Sequence, residues 1–133
     1  MNGDAQLVEI LRLTNASRAA AGLRPLRDDA RLDRAAQLHA EFLAAGGFLS
    51  HGGADQSTPG DRATAAGYAW QRVGENVLAR TRAEPALAYQ QWWLSEGHRE
   101  NLLTAAFTDC GLGRHYSPSV DCWYYAMLLA QPA

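Results

Sequence analysis

The stretch Trp92-Trp-Leu-Ser-Glu-Gly-His98-Arg-Glu-Asn101-Leu-Leu103 is the part of the sequence that decides the fold. Pro85 predicts the first turn of a long helix that runs to about Ser95, with its apolar residues at helical spacing. Gly97 follows, and a further short helix is predicted from His98 to Leu103. A histidine directly behind a glycine at a helix end is a candidate for binding or catalysis.

Partners for His98 are predicted in two other segments. His51 lies in a loop over 48–61 that is rich in Gly, Ser, Asp and Pro, and long loops of this kind often carry function. Glu75 lies between Gly74 and Asn76. The two remaining histidines have simpler interpretations. His39 lies on the apolar stripe of a helix and is predicted to be packed and hydrogen-bonded, and His115 is predicted to be solvated beside a turn.

The residue types His51, His98 and Glu75 support a coherent chemistry. Two imidazoles and one carboxylate form a usual catalytic zinc set with a fourth position for water. A glutamate beside a histidine can instead orient the ring or act as a general base, which makes Glu75 the candidate catalytic residue. The sequence has no local H-E-x-x-H spacing. Spacing alone therefore favours a structural role, with Glu75 bracing a strand end and the histidines at the surface.

Helical and strand patterns place these residues in a layered fold. Helices are predicted from Ala5 to Ala21, from Asp28 or Asp29 to Gly46, and briefly over 61–66. Strands are predicted over 70–79, interrupted at Gly74, and then over 109–115 and 121–131 around a Ser-Pro-Ser turn. The last strand is apolar on both faces, which is typical of a central strand. The order predicts an α/β (α+β) fold with a mainly antiparallel sheet.

Composition narrows the class of protein. The 133 residues fit a single domain, 1–133, and the net charge of −2 with scattered basic residues argues against nucleic-acid binding. No apolar run is long enough for a transmembrane segment. The first four residues lack signal-peptide features, so the chain is either cytoplasmic or a mature segment with an added Met. Cys110 and Cys122 flank a turn, and a disulfide is favoured over two free thiols, implying an oxidising compartment.

The ordered motifs resemble the CAP superfamily, named for cysteine-rich secretory proteins, antigen 5 and pathogenesis-related 1. The stretch from Trp92 to Leu103 resembles the bacterial segment W-x-x-S-x-G-H-R-x-N. Phe48-Leu-Ser-His51 is similar to the family's F-S-H segment, and Gly74-Glu75-Asn76 to its G-E-N segment. The opening helix, Asp61-Arg62 and the C-terminal strands follow in the family's order. The resemblance therefore covers nearly the whole chain.

The resemblance implies a three-layer α-β-α sandwich with a cleft of two histidines and two acidic residues. His51, Glu75 and His98 match three of these positions, and Ser95 stands near the fourth, with Glu96 projecting differently. The cleft implies a divalent metal, Zn²⁺, with modest affinity.

Three tryptophans, Trp70, Trp92 and Trp93, are expected in the core. Arg99 and Asn101 are expected to be structural, with Arg99 bracing a carboxylate. Gly74 and Gly97 are expected to shape the backbone before Glu75 and His98.

The resemblance also implies a function. We expect a secreted or periplasmic bacterial binding module, monomeric, that meets a lipid, glycan or protein partner. The alternative is a metal-dependent hydrolase of the peptidase type in which Glu75 moves a proton. A Ser/His hydrolase built from Ser95 and His98 is a weaker third hypothesis, because no orienting acid or nucleophile elbow is evident.

Overall fold

The computed structural model describes residues 2–133, which form five α-helices and four β-strands. The helices are α1 (Ala5–Ala20), α2 (Ala30–Gly46), α3 (Pro59–Ala65), α4 (Pro85–Trp93) and α5 (Glu96–Leu102). The strands are β1 (Arg27–Asp28), β2 (Trp70–Arg80), β3 (Asp109–Ser117) and β4 (Cys122–Pro132). A short 3-10 turn, Ala54–Gln56, lies between α2 and α3. The two-residue strand β1 was not predicted.

The sheet has the strand order β1-β3-β4-β2, with β4 antiparallel to both β3 and β2 and β1 parallel to β3. The central position predicted for the last strand is confirmed. Met127 and Leu129 of β4 pack in one cluster with residues of α1, α4 and α5, whereas Ala126 and Leu128 pack with α2 and α3. The predicted α-β-α sandwich with a mainly antiparallel sheet is therefore confirmed. No helix within residues 2–133 is long and apolar enough to cross a membrane.

Helix ends follow the predicted capping signals. Asp29 caps α2 by accepting hydrogen bonds from the backbone N–H groups of Arg31 and Leu32, and Gly47 ends the helix with a left-handed φ of 69°. The third helix begins earlier than predicted. Thr58 and Asp61 exchange side-chain and backbone hydrogen bonds in a capping box, so α3 starts at Pro59.

Helix α2 lies directly against β3. A Cβ atom added to Gly111 would fall 2.0 Å from the Leu32 carbonyl carbon. One added to Gly113 would fall 2.3 Å from the Gln37 Cα. Because β1 pairs only with the start of β3, the next outward N–H groups of β3 need other partners. Side chains of α2 supply them: Asp33 Oδ1 accepts from Leu112 N at 2.9 Å, and Gln37 Oε1 accepts from Arg114 N at 3.0 Å.

Two details of the sequence-based prediction are wrong. Strand β2 continues through Gly74, which pairs with Leu129, and its irregularity lies between Trp70 and Arg72 instead. Trp70 is 39% exposed rather than in the core, because its Nε1 donates to the Gly60 carbonyl at the rim of α3. Trp92 is fully buried, as predicted, and donates to the Val77 carbonyl.

The predicted disulfide is also wrong, since Cys110 and Cys122 are both free. In the β3–β4 ladder Cys122 lies opposite Ser117, whereas Cys110 lies opposite Leu129. At about 3.4 Å per residue, the strand from Cys110 to Ser117 spans about 24 Å. A disulfide requires Cα atoms within about 7 Å. An oxidising compartment therefore gains no support from these cysteines.

Candidate functional site

The site is built around Glu75, a buried acid on the edge strand β2. The side chain of Glu75 is only 1% exposed, and a buried charge is costly unless it is paired and hydrogen-bonded. Its Oε2 accepts from Arg62 Nη2 at 2.7 Å, and its Oε1 lies 2.9 Å from His51 Nδ1. His39 Nε2 lies 3.7 Å from the same Oε1. Both oxygens of Glu75 are therefore engaged by the protein.

His51 is the exposed member of the pair, with 57% of its side chain accessible. A carboxylate only accepts hydrogen bonds, so the His51 Nδ1 facing Glu75 carries the proton. In the neutral ring the Nε2 then keeps its lone pair. The structure brings these two predicted site residues into contact and gives Glu75 the role of orienting the ring.

His98 reaches the same end of β2 from the opposite layer, on α5. Asn76 Nδ2 donates to the His98 carbonyl at 3.1 Å, and Asn101 Nδ2 donates to the Glu75 carbonyl at 3.3 Å and to Asn76 Oδ1 at 2.9 Å. Burial lowers the pKa of His98, with a smaller lowering from the charge of His51, so the two rings interact electrostatically. Within residues 2–133, His98 Nδ1 is buried without a hydrogen-bond partner. All three predicted residues thus meet around one strand.

Sequence reasoning missed two members of this cluster, Arg62 and His39. Arg62 was noted only as part of a motif, although a buried acid on an apolar strand calls for a nearby cation. His39 is packed and hydrogen-bonded as predicted, with Nε2 donating to the Ser50 carbonyl at 2.8 Å. Its position behind Glu75 was not foreseen. Burial lowers the pKa of His39, opposed in part by the charge of Glu75.

The remaining motif residues have structural positions. Ser95 precedes α5 as its N-cap residue without a side-chain capping bond, and Glu96 is exposed. Asn101 has the predicted structural role. Arg99 does not brace a carboxylate as predicted, because its Nη1 donates to the Trp93 carbonyl at 3.2 Å and its guanidinium lies 5.8 Å from the centre of the Trp93 ring. A Cβ added to Gly97 would meet nothing within 4 Å, so no steric reason for this glycine is found.

The side chains of this cluster offer few donors to a metal ion. No group of three or more His, Cys, Asp or Glu within the described part of the chain, 2–133, is arranged to hold a metal ion. Glu75 is taken up by Arg62 and His51, so the donors left for a cation are the imidazoles of His51 and His98. A cation held by these two imidazoles and completed by water is a prediction. The three-residue zinc set stays a prediction.

Residues 11–128 match the model of the CAP family, described as the cysteine-rich secretory protein family. The chain is 31% identical to the uncharacterized protein YkwD of Bacillus subtilis (strain 168) over 115 residues, which cover 86% of this chain and 44% of YkwD. It is also 33% identical to the uncharacterized membrane protein YlbC of the same organism, covering 88% of this chain and 32% of YlbC. The chain spans less than half the length of these curated relatives.

Solved structures agree with the sequence comparison. An extracellular protein containing an SCP domain from Bacillus anthracis superimposes with a TM-score of 0.83 at 30% identity, over 92% of this chain and 39% of that protein. An outer surface protein from Borrelia burgdorferi has a TM-score of 0.88 at 16% identity, over 100% of this chain and 97% of that protein, and this likeness concerns the fold alone. On the family match, the identities and the shared fold, the chain belongs to the CAP family.

Proposed function

We propose that this domain is an extracellular binding module whose site holds a divalent cation, Zn²⁺, between His51 and His98. The observation that carries the proposal is the 2.9 Å contact of His51 Nδ1 with the buried carboxylate of Glu75. A carboxylate behind a histidine fixes the tautomer and raises the basicity of the other ring nitrogen, as in many zinc sites. The exposed Nε2 of His51 is thereby prepared as a ligand.

His98 supplies the second donor in this proposal. Metal binding requires a neutral imidazole, and burial lowers the pKa of His98, which favours that form at neutral pH. With two protein ligands, the other positions of a tetrahedral zinc ion are left to water or to a bound partner. When bound, zinc would act as a Lewis acid on an oxygen atom of that partner. Two ligands, with Ser95 in place of a fourth acidic residue, support only a modest affinity.

The extracellular assignment draws on the relative from Bacillus anthracis, which is an extracellular protein and 30% identical to this chain. The partner class in this proposal is a lipid, a glycan or a protein. The coordination positions of the cation that His51 and His98 do not fill would face this partner.

Calorimetric zinc titration at pH 7.5 tests the cation site. We expect His51→Ala and His98→Ala each to weaken binding at least about tenfold, because each removes one of two ligands. His115→Ala is the matched control, since this exposed histidine lies on β3 away from the site. Binding by the parent should also weaken as the pH falls, because an imidazole must be neutral to bind zinc. Equal zinc binding by the parent and both site variants would contradict the proposal.

A metal-dependent hydrolase is the second candidate, and the same His51–Glu75 contact favours it. In that function zinc held by His51 and His98 would polarise the bond to be cleaved and lower the pKa of a bound water, while Glu75 keeps the His51 ring in position. A panel of peptide, ester and glycoside substrates separates the two functions. Turnover that is lost in His51→Ala would show an enzyme, whereas zinc binding without any turnover supports the binding module.

A further inference from the structure

We propose that Arg62 is the positioning residue of this site. Its guanidinium binds Glu75 and the loop that carries His51 at the same time, so that Glu75 orients His51 and is not available to a cation. The expected change in zinc affinity rests on the proposed function. The positioning itself does not, because it concerns the protein without metal.

Four acceptor atoms meet at Arg62, one on Glu75 of strand β2 and three on His51 and Ser57 of the loop before α3. Nη2 donates to Glu75 Oε2 at 2.7 Å and to the His51 carbonyl at 3.0 Å. Nη1 donates to the Ser57 carbonyl at 2.8 Å and to Ser57 Oγ at 3.2 Å. The Arg62 side chain is 10% exposed, so water screens these charge-assisted contacts little. Only a forked guanidinium can serve strand β2 and both ends of the loop together, because a lysine ammonium presents its three N–H donors from one nitrogen atom.

The loop backbone is shaped around this guanidinium. Asp55 and Gln56 have φ angles of 54° and 60°, a region that residues other than glycine seldom adopt. Such conformations persist when the surrounding structure enforces them. Gly53 is also constrained, since a Cβ there would lie 2.7 Å from both Arg62 Nη1 and Ser57 Oγ. The loop therefore presents His51 only while Arg62 holds its two ends.

Arg62 also decides what Glu75 does. With Oε2 bound by Arg62, only Oε1 remains, and it accepts the Nδ1 proton of His51. The carboxylate is 1% exposed and its charge is balanced within the protein. Glu75 thus acts through His51, and Arg62 acts through both residues.

The first test uses Arg62→Gln and Arg62→Lys, with Arg31→Gln as the matched control. Arg31 forms a comparable pair with Asp29 at 2.8 Å, but it is 54% exposed and lies at the start of α2. The tautomer of His51 is read from its ring ¹⁵N shifts in metal-free protein at pH 7.5. We expect a single Nδ1–H form in the parent and in Arg31→Gln, a mixture of tautomers in Arg62→Gln, and an intermediate spectrum in Arg62→Lys. We expect the zinc dissociation constant to rise at least tenfold in Arg62→Gln.

A glycine pair keeps the proposal testable if Arg62→Gln does not fold. Gly53→Ala leaves the charge of Arg62 in place but its Cβ must displace Arg62 Nη1 and Ser57 Oγ from their present positions, so the same change of tautomer is expected. In Gly52→Ala the new Cβ would meet only Ser50 Oγ at 3.4 Å, and no change is expected. A folded Arg62 or Gly53 variant with the parental His51 tautomer would overturn the proposal. If the parent binds no zinc, the proposed function fails, while the tautomer still decides the role of Arg62.

Discussion

The side-chain amide of Asn101 on α5 donates to Oδ1 of Asn76 on β2 over 2.9 Å and joins the two layers that carry His98 and Glu75. Asn76 is completely buried. Asn101→Ala leaves the Oδ1 of Asn76 without that donor, and a buried unsatisfied acceptor costs about 1–3 kcal/mol. We expect urea unfolding to show a loss of stability in this range. Gln91→Ala removes an exposed hydrogen bond from the Gln91 side-chain amide to the Ala79 carbonyl. It should change the stability by less than about 0.5 kcal/mol. Equal effects of both substitutions would argue against this role.

Gly113 and Gly97 should respond in opposite ways to alanine. A Cβ at Gly113 would lie 2.3 Å from the Gln37 Cα, so Gly113→Ala must push α2 away from the sheet and should cost about 3 kcal/mol or more. A Cβ at Gly97 meets open space inside α5, and Gly→Ala in a helix gains up to about 1 kcal/mol. Thermal unfolding of both variants checks this. A stable Gly113→Ala protein would contradict the close approach of α2.

Asp33 should make the protein less stable as the pH rises. Burial, and secondarily Asp28, raise its pKa from 3.8 to about 7. A carboxyl group with a raised pKa in the folded state contributes stability below its unfolded value and loses it as the pH rises toward 7. Asp33→Asn keeps an oxygen for Leu112 N without a charge. We expect a gain on the order of 1 kcal/mol at pH 8 and a flatter profile between pH 4 and 7, measured by urea unfolding. An unchanged profile would exclude Asp33 as its source.

His39 should act in the opposite direction. Burial lowers its pKa below 6.5, so its contribution to stability is present above that pH and is lost as the pH falls through the folded value. Glutamine can donate to the Ser50 carbonyl but does not titrate. His39→Gln should therefore lose less stability than the parent between pH 7 and 5, by on the order of 1 kcal/mol. Denaturation at the two pH values checks this, and an equal loss in both proteins would contradict it.

The two cysteines should behave as independent thiols. Cys110 is fully buried, and burial raises its pKa, so it should not react in the folded protein. Cys122 is half-buried at the start of β4 and should react slowly. We expect two titratable thiols in unfolded, unreduced protein and no change in melting temperature on adding a reductant. A melting temperature that falls when a reductant is added would contradict this prediction and support a disulfide.

The sequence predicted the parts of the fold that depend on local patterns. Capping by Asp29 and the apolar run of β4 located their elements because capping bonds and burial leave a signature in neighbouring residues. The cysteine pairing was wrong because the ladder register, which sets what faces Cys110, depends on the whole hairpin. Strand β1 was missed because two residues carry no periodicity.

The sequence predicted the residues of the candidate site but not the hydrogen bonds and ion pairs that connect them. His51, Glu75 and His98 were identified through their motifs, and the structure places them around β2. The partners of Glu75 were not identified, because Arg62 and His39 approach it from two other helices. Such contacts depend on tertiary packing, which no local spacing reports.

The sheet order also determines when this domain can fold. The central strand β4 follows β2 and β3 in the chain and pairs with both of them. Arg18 of the first helix, α1, is buried and donates to carbonyls of Leu102 and Phe107. Contacts between such distant positions form late and slow the search for the native state. A chain lacking residues 122–132 has no middle to its sheet, so the domain acquires its native structure only once β4 is available to pair with β2 and β3.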